Sequence, residues 1–313
     1  MLPESIRWNG ISIEVLDQRK LPDTVEYINC TTVEHLANAI ETLAVRGAPA
    51  IGIAAAWGIV MAYKRGESIS ISIERLRTTR PTAVNLFWAL ERMASASDYE
   101  LEARKIQEED IENNRKIGMY GQKFLPAEST VITHCNAGAL ATGGWGTALG
   151  IIRSAREAGK NVRVFACETR PLFQGSRLTA WELEQDGFDV TLICDNMAAY
   201  LMKKQKIDAV IVGADRIAAN GDTANKIGTY SLAVNAKKHG IQFLVAAPKS
   251  TFDMSIPNGD AIPIEERSEG EIRALTGGQT VPEEIKVWNP AFDVTPFELI
   301  SAIITEDGVY APK

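Results

Sequence analysis

Between Ser5 and Val15, apolar and polar residues alternate on either side of Asn9-Gly10. A period of two around an Asn-Gly pair predicts a β-hairpin closed by a type I′ turn. From Thr31 to about Phe124 the pattern becomes helical. Thr31 and Glu34 have the spacing of a capping box, Pro49 and Pro81 each stand where a helix can open, and Asp98 precedes a long charged helical stretch. Near Pro126-Ala127-Glu128-Ser129 the texture changes to short β-branched runs at 130–133, 162–166, 190–193, 209–212 and 243–246, with helix-length segments between them. That alternation predicts a parallel sheet with crossover helices. The expected fold is α/β: an N-terminal β-hairpin and α-helical domain over residues 1–126, then a Rossmann-like, doubly wound domain over residues 127–313.

Charge and composition narrow what such a fold can do. With a net charge of −7 the chain has no broad basic surface for a phosphate backbone, so nucleic acid is not expected as a partner. The longest nearly apolar run, residues 51–63, falls short of the roughly 20 residues that span a bilayer and reads as a buried helix, so no membrane partner is expected either. No basic segment followed by an apolar stretch opens the sequence, which leads to the expectation of a cytoplasmic protein. Cys30, Cys135, Cys167 and Cys194 contain no CxxC pair and read as free thiols. His35, His134 and His239 have no ligand spacing, and no metal site is expected.

Ligands of doubly wound sheets bind beyond the carboxyl ends of the strands, so the residues after each run carry the chemical interest. Here those residues are Cys135, Cys167-Glu168, Cys194-Asp195 and Asp215. A cysteine at a strand end is ordinarily a small buried hydrophobe, and an aspartate there often caps the next helix. The sequence around Cys135 and Asp215 sets those two apart. Cys135 opens a glycine-rich loop, residues 136–150, able to turn backbone N–H groups toward an anion. Its Gly144 and Gly146 match the first two glycines of a dinucleotide fingerprint, but Leu149 stands in the third position and the stretch begins well after the strand; no cofactor is expected. His134 and Cys135 are consecutive, so in extended chain they face opposite ways and are poorly placed as a base and nucleophile.

Two anion sites are expected in the helical half. Arg46-Gly47-Ala48-Pro49-Ala50 and Arg80-Pro81-Thr82 each put an arginine at a helix start, where the dipole disfavours a cation unless an anion is bound. Asn225-Lys226, soon after Asp215, would add an amide and an ammonium from the other domain. A thiol and a carboxylate beside a phosphate site suit proton or hydride movement on a sugar phosphate.

Six ordered motifs carry a specific resemblance: residues 46–52 (RGAPAIG), 80–86 (RPTAVNL), 133–138 (THCNAG), 168–175 (ETRPLFQG), 213–217 (GADRI) and 225–229 (NKIGT), with Leu16–Pro22 (LDQRKLP) adding to them. With these the chain resembles the S-methyl-5-thioribose-1-phosphate isomerases of methionine salvage. Their superfamily includes the regulatory α, β and δ subunits of eukaryotic translation initiation factor 2B and an archaeal ribose-1,5-bisphosphate isomerase. The resemblance implies a homodimer that isomerises a phosphorylated pentose without a cofactor. It makes Cys135 and Asp215 the catalytic pair and gives substrate binding to Arg46, Gly47, Ala48, Arg80, Gln174, Asn225 and Lys226. A phosphate on C1 locks the sugar ring, so an acid must protonate the ring oxygen, and Asp215 in an apolar site would be that acid. Trp57, Trp88 and Trp145 are candidates for the site's walls or for ordinary core. Two alternatives stay open: ribose-1,5-bisphosphate isomerase, and a non-catalytic subunit related to initiation factor 2B.

Overall fold

The computed structural model describes residues 2–310 except Pro81, Thr276, Gly277 and Thr280. The N-terminal hairpin pairs β1 (Ile6–Trp8) with β2 (Ile13–Leu16), and β3 (Tyr27–Cys30) adds a third antiparallel strand. Its connection is not the type I′ turn expected from Asn9-Gly10. Gly10 takes positive φ, but Asn9 does not. The Asn9 side chain instead accepts the N–H groups of Ile11 and Ser12, closing a four-residue loop.

Five helices follow: α1 (Val33–Glu41), α2 (Ala48–Lys64), α3 (Ile69–Arg77), α4 (Val84–Ala94) and α5 (Tyr99–Gly121). α1 is capped one residue later than the capping-box spacing suggests: Thr32, not Thr31, accepts a bond from the backbone of His35. Pro49 does open α2 and Asp98 does cap α5. The expected opening of a helix at Pro81 lies outside the described residues; α4 starts at Val84. α2 is apolar all round and is accordingly buried nearly all round, with α4 and α5 packed against it.

The second half alternates β4 (Glu128–Thr133), α6 (Ala148–Glu157), β5 (Asn161–Cys167), α7 (Trp181–Gln185), β6 (Asp189–Ile193), α8 (Ala198–Lys204) and β7 (Ala209–Val212). After β7 the chain folds into β8 (Arg216–Ala218) and β9 (Thr223–Lys226), then α9 (Thr229–His239) and β10 (Gln242–Ala246). Beyond them come β11 (Phe252–Asp253), α10 (Gly270–Arg273), a small ladder of β12 (Ala274–Leu275) with β13 (Gly278–Gln279), β14 (Phe292–Thr295), β15 (Ala302–Thr305) and β16 (Gly308–Tyr310). All five β-branched runs are parallel strands of one seven-stranded sheet, ordered β16-β15-β10-β7-β4-β5-β6, with only β16 antiparallel. Numbered along the chain, its six parallel strands lie in the order 3-2-1-4-5-6. That is the doubly wound order of the Rossmann fold, and the winding reverses between β4 and β7.

A second, four-stranded sheet, β11-β8-β9-β14, stands at the carboxyl end of β7. The β-branched runs gave no sign of it. Its strands β8 and β9 are buried along their whole length, Arg216, Asn225 and Lys226 included.

Candidate active site

The crevice of a doubly wound sheet opens where the winding reverses. Cys135 follows β4 by two residues and Asp215 follows β7 by three, and because β4 and β7 are neighbours both reach one cavity of about 470 Å³. All nine residues expected at the site line it: Cys135, Asp215, Arg46, Gly47, Ala48, Arg80, Gln174, Asn225 and Lys226. The three tryptophans do not. Trp57 is buried in the helical core and stacks on Trp8, Trp88 packs against that core, and Trp145 lies under the Arg115 guanidinium.

Three helix starts border the cavity: Gly47 and Ala48 of α2, Thr82 and Ala83 before α4, and Thr147 before α6. Their free N–H groups and dipoles make the cavity wall attractive to an anion. Gly47 is required where it stands. Its φ is +96°, and a Cβ there would lie 2.5 Å from the carbonyl oxygen of Ala141, on the loop that follows Cys135.

The cations are held by protein partners. Arg46 donates to the side-chain and main-chain oxygens of Asn136 at 2.7 and 2.9 Å, tying the start of α2 to the residue after Cys135. Arg80 pairs with Glu265 at 3.2 Å, and Glu265 also receives Arg267 at 2.9 Å. Lys226 donates to the Ala291 carbonyl at 2.9 Å and lies over the Phe292 ring. Five buried polar atoms of cavity-lining side chains, Gln18 Oε1, Arg80 Nε, His134 Nδ1, Gln174 Oε1 and Arg216 Nε, have no hydrogen-bond partner among the described residues. Groups left bare in this way are what a polar ligand would satisfy.

Burial pushes the Asp215 carboxyl above its ordinary range, against the pull of Lys226, Arg46 and Arg80 and with the help of Glu265. Burial likewise lowers the Lys226 ammonium, while Cys135 and Asp215 act to raise it. Burial thus favours the protonated form of the Asp215 carboxyl. His134 lines the same cavity, but its Nε2 is engaged with the carbonyl of Ile227 at 2.8 Å.

The other strand ends behave as ordinary structure. Cys167 is buried in the core, and Asp195 accepts the backbone N–H groups of Thr169 and Arg170, both at 2.8 Å. Sequence reasoning missed the floor beneath the Cys135 loop. There the buried Glu182 accepts bonds from Asn136 and Ala139 and pairs with Arg153, while a Cβ on Gly138 would collide with that same carboxylate. Glu182 lies in a helix rich in charged residues, and nothing in that pattern marks one of them as buried.

A second brace comes from α5. Asp110 Oδ2 accepts the Gly143 N–H at 2.7 Å and the Asn114 amide at 2.9 Å, and that amide also reaches the Gly144 carbonyl at 3.2 Å. Burial pushes the Asp110 carboxyl up to about 7 from its ordinary 3.8. The folded state therefore takes up a proton that the unfolded chain has released. The stability linked to Asp110 is complete below its unfolded pKa near 4 and is lost as pH rises through about 7. In thermal melts from pH 5 to pH 8, the wild type should lose stability relative to Asp110→Asn; parallel profiles for the two proteins would contradict this.

Comparison with known proteins agrees with this geometry. The model of the Initiation factor 2 subunit family matches residues 44–312. The methylthioribose-1-phosphate isomerase of Thermotoga neapolitana is 56% identical, with 99% of this chain and 95% of the relative covered. That of Desulforamulus reducens is 53% identical over 98% and 95%. Among solved structures, 5-methylthioribose 1-phosphate isomerase from Pyrococcus horikoshii superposes with a TM-score of 0.91 at 44% identity, covering 99% of this chain and 93% of that one. The translation initiation factor eIF-2B, subunit delta, from A. fulgidus superposes with a TM-score of 0.86 at 49% identity, covering 99% and 96%. The six motifs, the doubly wound sheet and a match over nearly the whole length lead to one conclusion: the chain belongs to the Initiation factor 2 subunit family.

Proposed function

We propose that the chain is an aldose–ketose isomerase converting S-methyl-5-thioribose 1-phosphate to S-methyl-5-thioribulose 1-phosphate in methionine salvage. The observation that carries this reading is the meeting of Cys135 and Asp215 in one cavity that is also lined by Arg46, Arg80 and Lys226 and bordered by three helix starts. Asp215, protonated, gives its proton to the ring oxygen and opens the sugar. The C2 hydrogen then passes to C1, with Cys135 either taking it as a proton or stabilising the charge of a hydride shift. Arg46, Arg80 and Lys226 hold the phosphate; Gly47 and Ala48 present the start of α2 to it, and Gln174 and Asn225 take sugar hydroxyls.

Leu43, Ile51, Leu172, Phe173 and Leu178 give the cavity apolar walls that suit a methylthio group better than a second phosphate. This favours the methylthio sugar over ribose 1,5-bisphosphate. The likeness to the A. fulgidus initiation-factor subunit keeps the non-catalytic role in view, but such a subunit needs neither Cys135 nor Asp215.

The two-domain division at 126/127 is part of the proposal. It is supported by the change from helices to sheet there and by a helical core confined to residues 6–106, although the last turns of α5 pack with the sheet. We assign the cytoplasm as its location; no helix among the described residues is long and apolar enough to cross a membrane. A homodimer is assigned as well, formed on the exposed edge at β6 and α8, where Leu192, Met197 and Tyr200 face outward.

The test is a comparison of kcat/KM for the two sugar phosphates, made on protein whose mass in solution has been measured. Turnover of methylthioribose 1-phosphate, preferred over the bisphosphate, by a species of twice 34.2 kDa is expected. A preference for the bisphosphate would overturn the substrate, a monomeric active species would overturn the dimer, and absence of turnover of either sugar would overturn the enzyme.

A further inference from the structure

Cys135 has a backbone φ of +60°, and Thr169, buried behind it, has a φ of +64°. Residues other than glycine adopt this left-handed conformation rarely, β-branched ones least of all, and they keep it where the surroundings over-determine it. At Cys135 the surroundings are two threonine hydroxyls. Thr169 Oγ1 accepts the Cys135 N–H at 2.8 Å and donates onward to the Cys167 carbonyl at 3.1 Å. On the other side, Thr179 donates its hydroxyl to the Cys135 carbonyl and accepts the Asn136 amide at 3.2 Å. Both threonines are fully buried, and neither lines the cavity. The main-chain N–H of Thr169 is held in turn by Asp195 Oδ1, whose second oxygen holds Arg170.

Each hydroxyl acts as donor and acceptor at once, a combination that valine of the same shape lacks. Both contacts are to the main chain of Cys135, so they fix the residue without touching what its thiol reacts with. The two hydroxyls come from different segments: Thr169 from the turn after β5, and Thr179 from the π-helical stretch Gly175–Ala180 leading into α7. These segments meet closely, since a Cβ on Gly175 would lie 1.7 Å from the Cys167 carbonyl.

We propose that Thr169 and Thr179 are positioning residues that clamp the Cys135 peptide from both sides and so set where its thiol stands, with Asp195 bracing Thr169. The proposal rests on the reading of Cys135 as the reactive thiol.

Its test uses Thr169→Val and Thr179→Val, with Thr169→Ser and Thr179→Ser as controls that keep the hydroxyl, and Asp195→Asn as a third, independent arm. Two quantities are measured on folded protein: kcat and KM for the sugar phosphate, and the rate of Cys135 alkylation by iodoacetamide, followed by mass spectrometry of its peptide from pH 6 to pH 9. The valine variants should lose about 10- to 100-fold in kcat with KM within about threefold, the scale for misplacing a reacting group. Their Cys135 alkylation rate should differ from wild type by at least about threefold, and the serine variants should recover both values. Folded valine or Asp195→Asn variants with kcat and alkylation within about twofold of wild type would overturn the clamp. Serine variants that fail to recover would do the same. If one valine variant does not fold, the other and Asp195→Asn decide, because each removes a different bond. If Cys135→Ser proves fully active, the catalytic reading has failed and the alkylation rates alone decide the clamp.

Discussion

Asp215→Asn should lower kcat at least about 10²-fold, the usual contribution of a positioned acid or base, while the protein stays folded. The two side chains have the same shape, but the amide has no proton to give to the ring oxygen. Folding should not suffer. Burial raises the Asp215 pKa, so the carboxylate is the disfavoured form in the folded state, and a neutral amide relieves that cost. The melting temperature near neutral pH should be equal to or above that of wild type. Cys135→Ser should lose activity on the same scale, since a hydroxyl is a far weaker acid than a thiol and so far less able to supply the anion that takes up a proton. Steady-state kinetics and thermal melts on both variants check this. Near-wild-type kcat in either folded variant would remove that residue from the chemistry.

The second large effect concerns the phosphate. Removing one of several charge-assisted donors should cost roughly 1.5 to 3 kcal/mol, or about 10- to 150-fold in kcat/KM. For Arg46→Ala and Lys226→Ala most of this should fall on KM, because the phosphate is bound in both the ground and transition states. The structure adds a qualification for each. Arg46 also holds Asn136, next to Cys135, so its removal should lower kcat somewhat through the loop. Lys226 is among the charges that restrain the rise in the Asp215 pKa, so without it that carboxyl should hold its proton to still higher pH. Stabilisation of the protein by inorganic phosphate, read as a shift in melting temperature, should shrink in both variants. Unchanged phosphate stabilisation in both would refute the assignment of Arg46 and Lys226 to the phosphate, and a loss confined to kcat would move that residue to the reacting carbons.

The parallel sheet and its reactive edge could be read from the sequence because both follow from local rules. Buried parallel strands are short β-branched runs, and the residues that follow them face the crevice; that rule offered Cys135 and Asp215 among several strand-end residues, and the flanking motifs with the family resemblance singled them out. The sheet of β8, β9, β11 and β14 was not. Thr223-Ala224-Asn225-Lys226 is a buried strand made mostly of polar residues; Ala224, Asn225 and Lys226 line the cavity that the strand borders, and neither alternation nor a hydrophobic run marks it. The Thr31 and Trp145 readings failed for a related reason. Which of two adjacent threonines caps a helix, and which face a tryptophan covers, depends on packing against distant residues. The supports of Cys135, namely Thr169, Thr179, Glu182 and Asp195, act through bonds between side chain and main chain, and such bonds leave no period in a sequence.

Because the winding reverses between β4 and β7, Thr133 pairs with Ile211 across the sheet although β5, β6 and the helices α6, α7 and α8 intervene along the chain. The meeting of Cys135 and Asp215 is therefore a property of one long-range ladder. During refolding, helix content can return through local contacts early, whereas non-local strand pairing comes with a larger loop-closure cost. Recovery of enzymatic turnover should accordingly lag behind recovery of helical circular dichroism, which makes turnover the reporter for the moment at which the centre of the sheet closes.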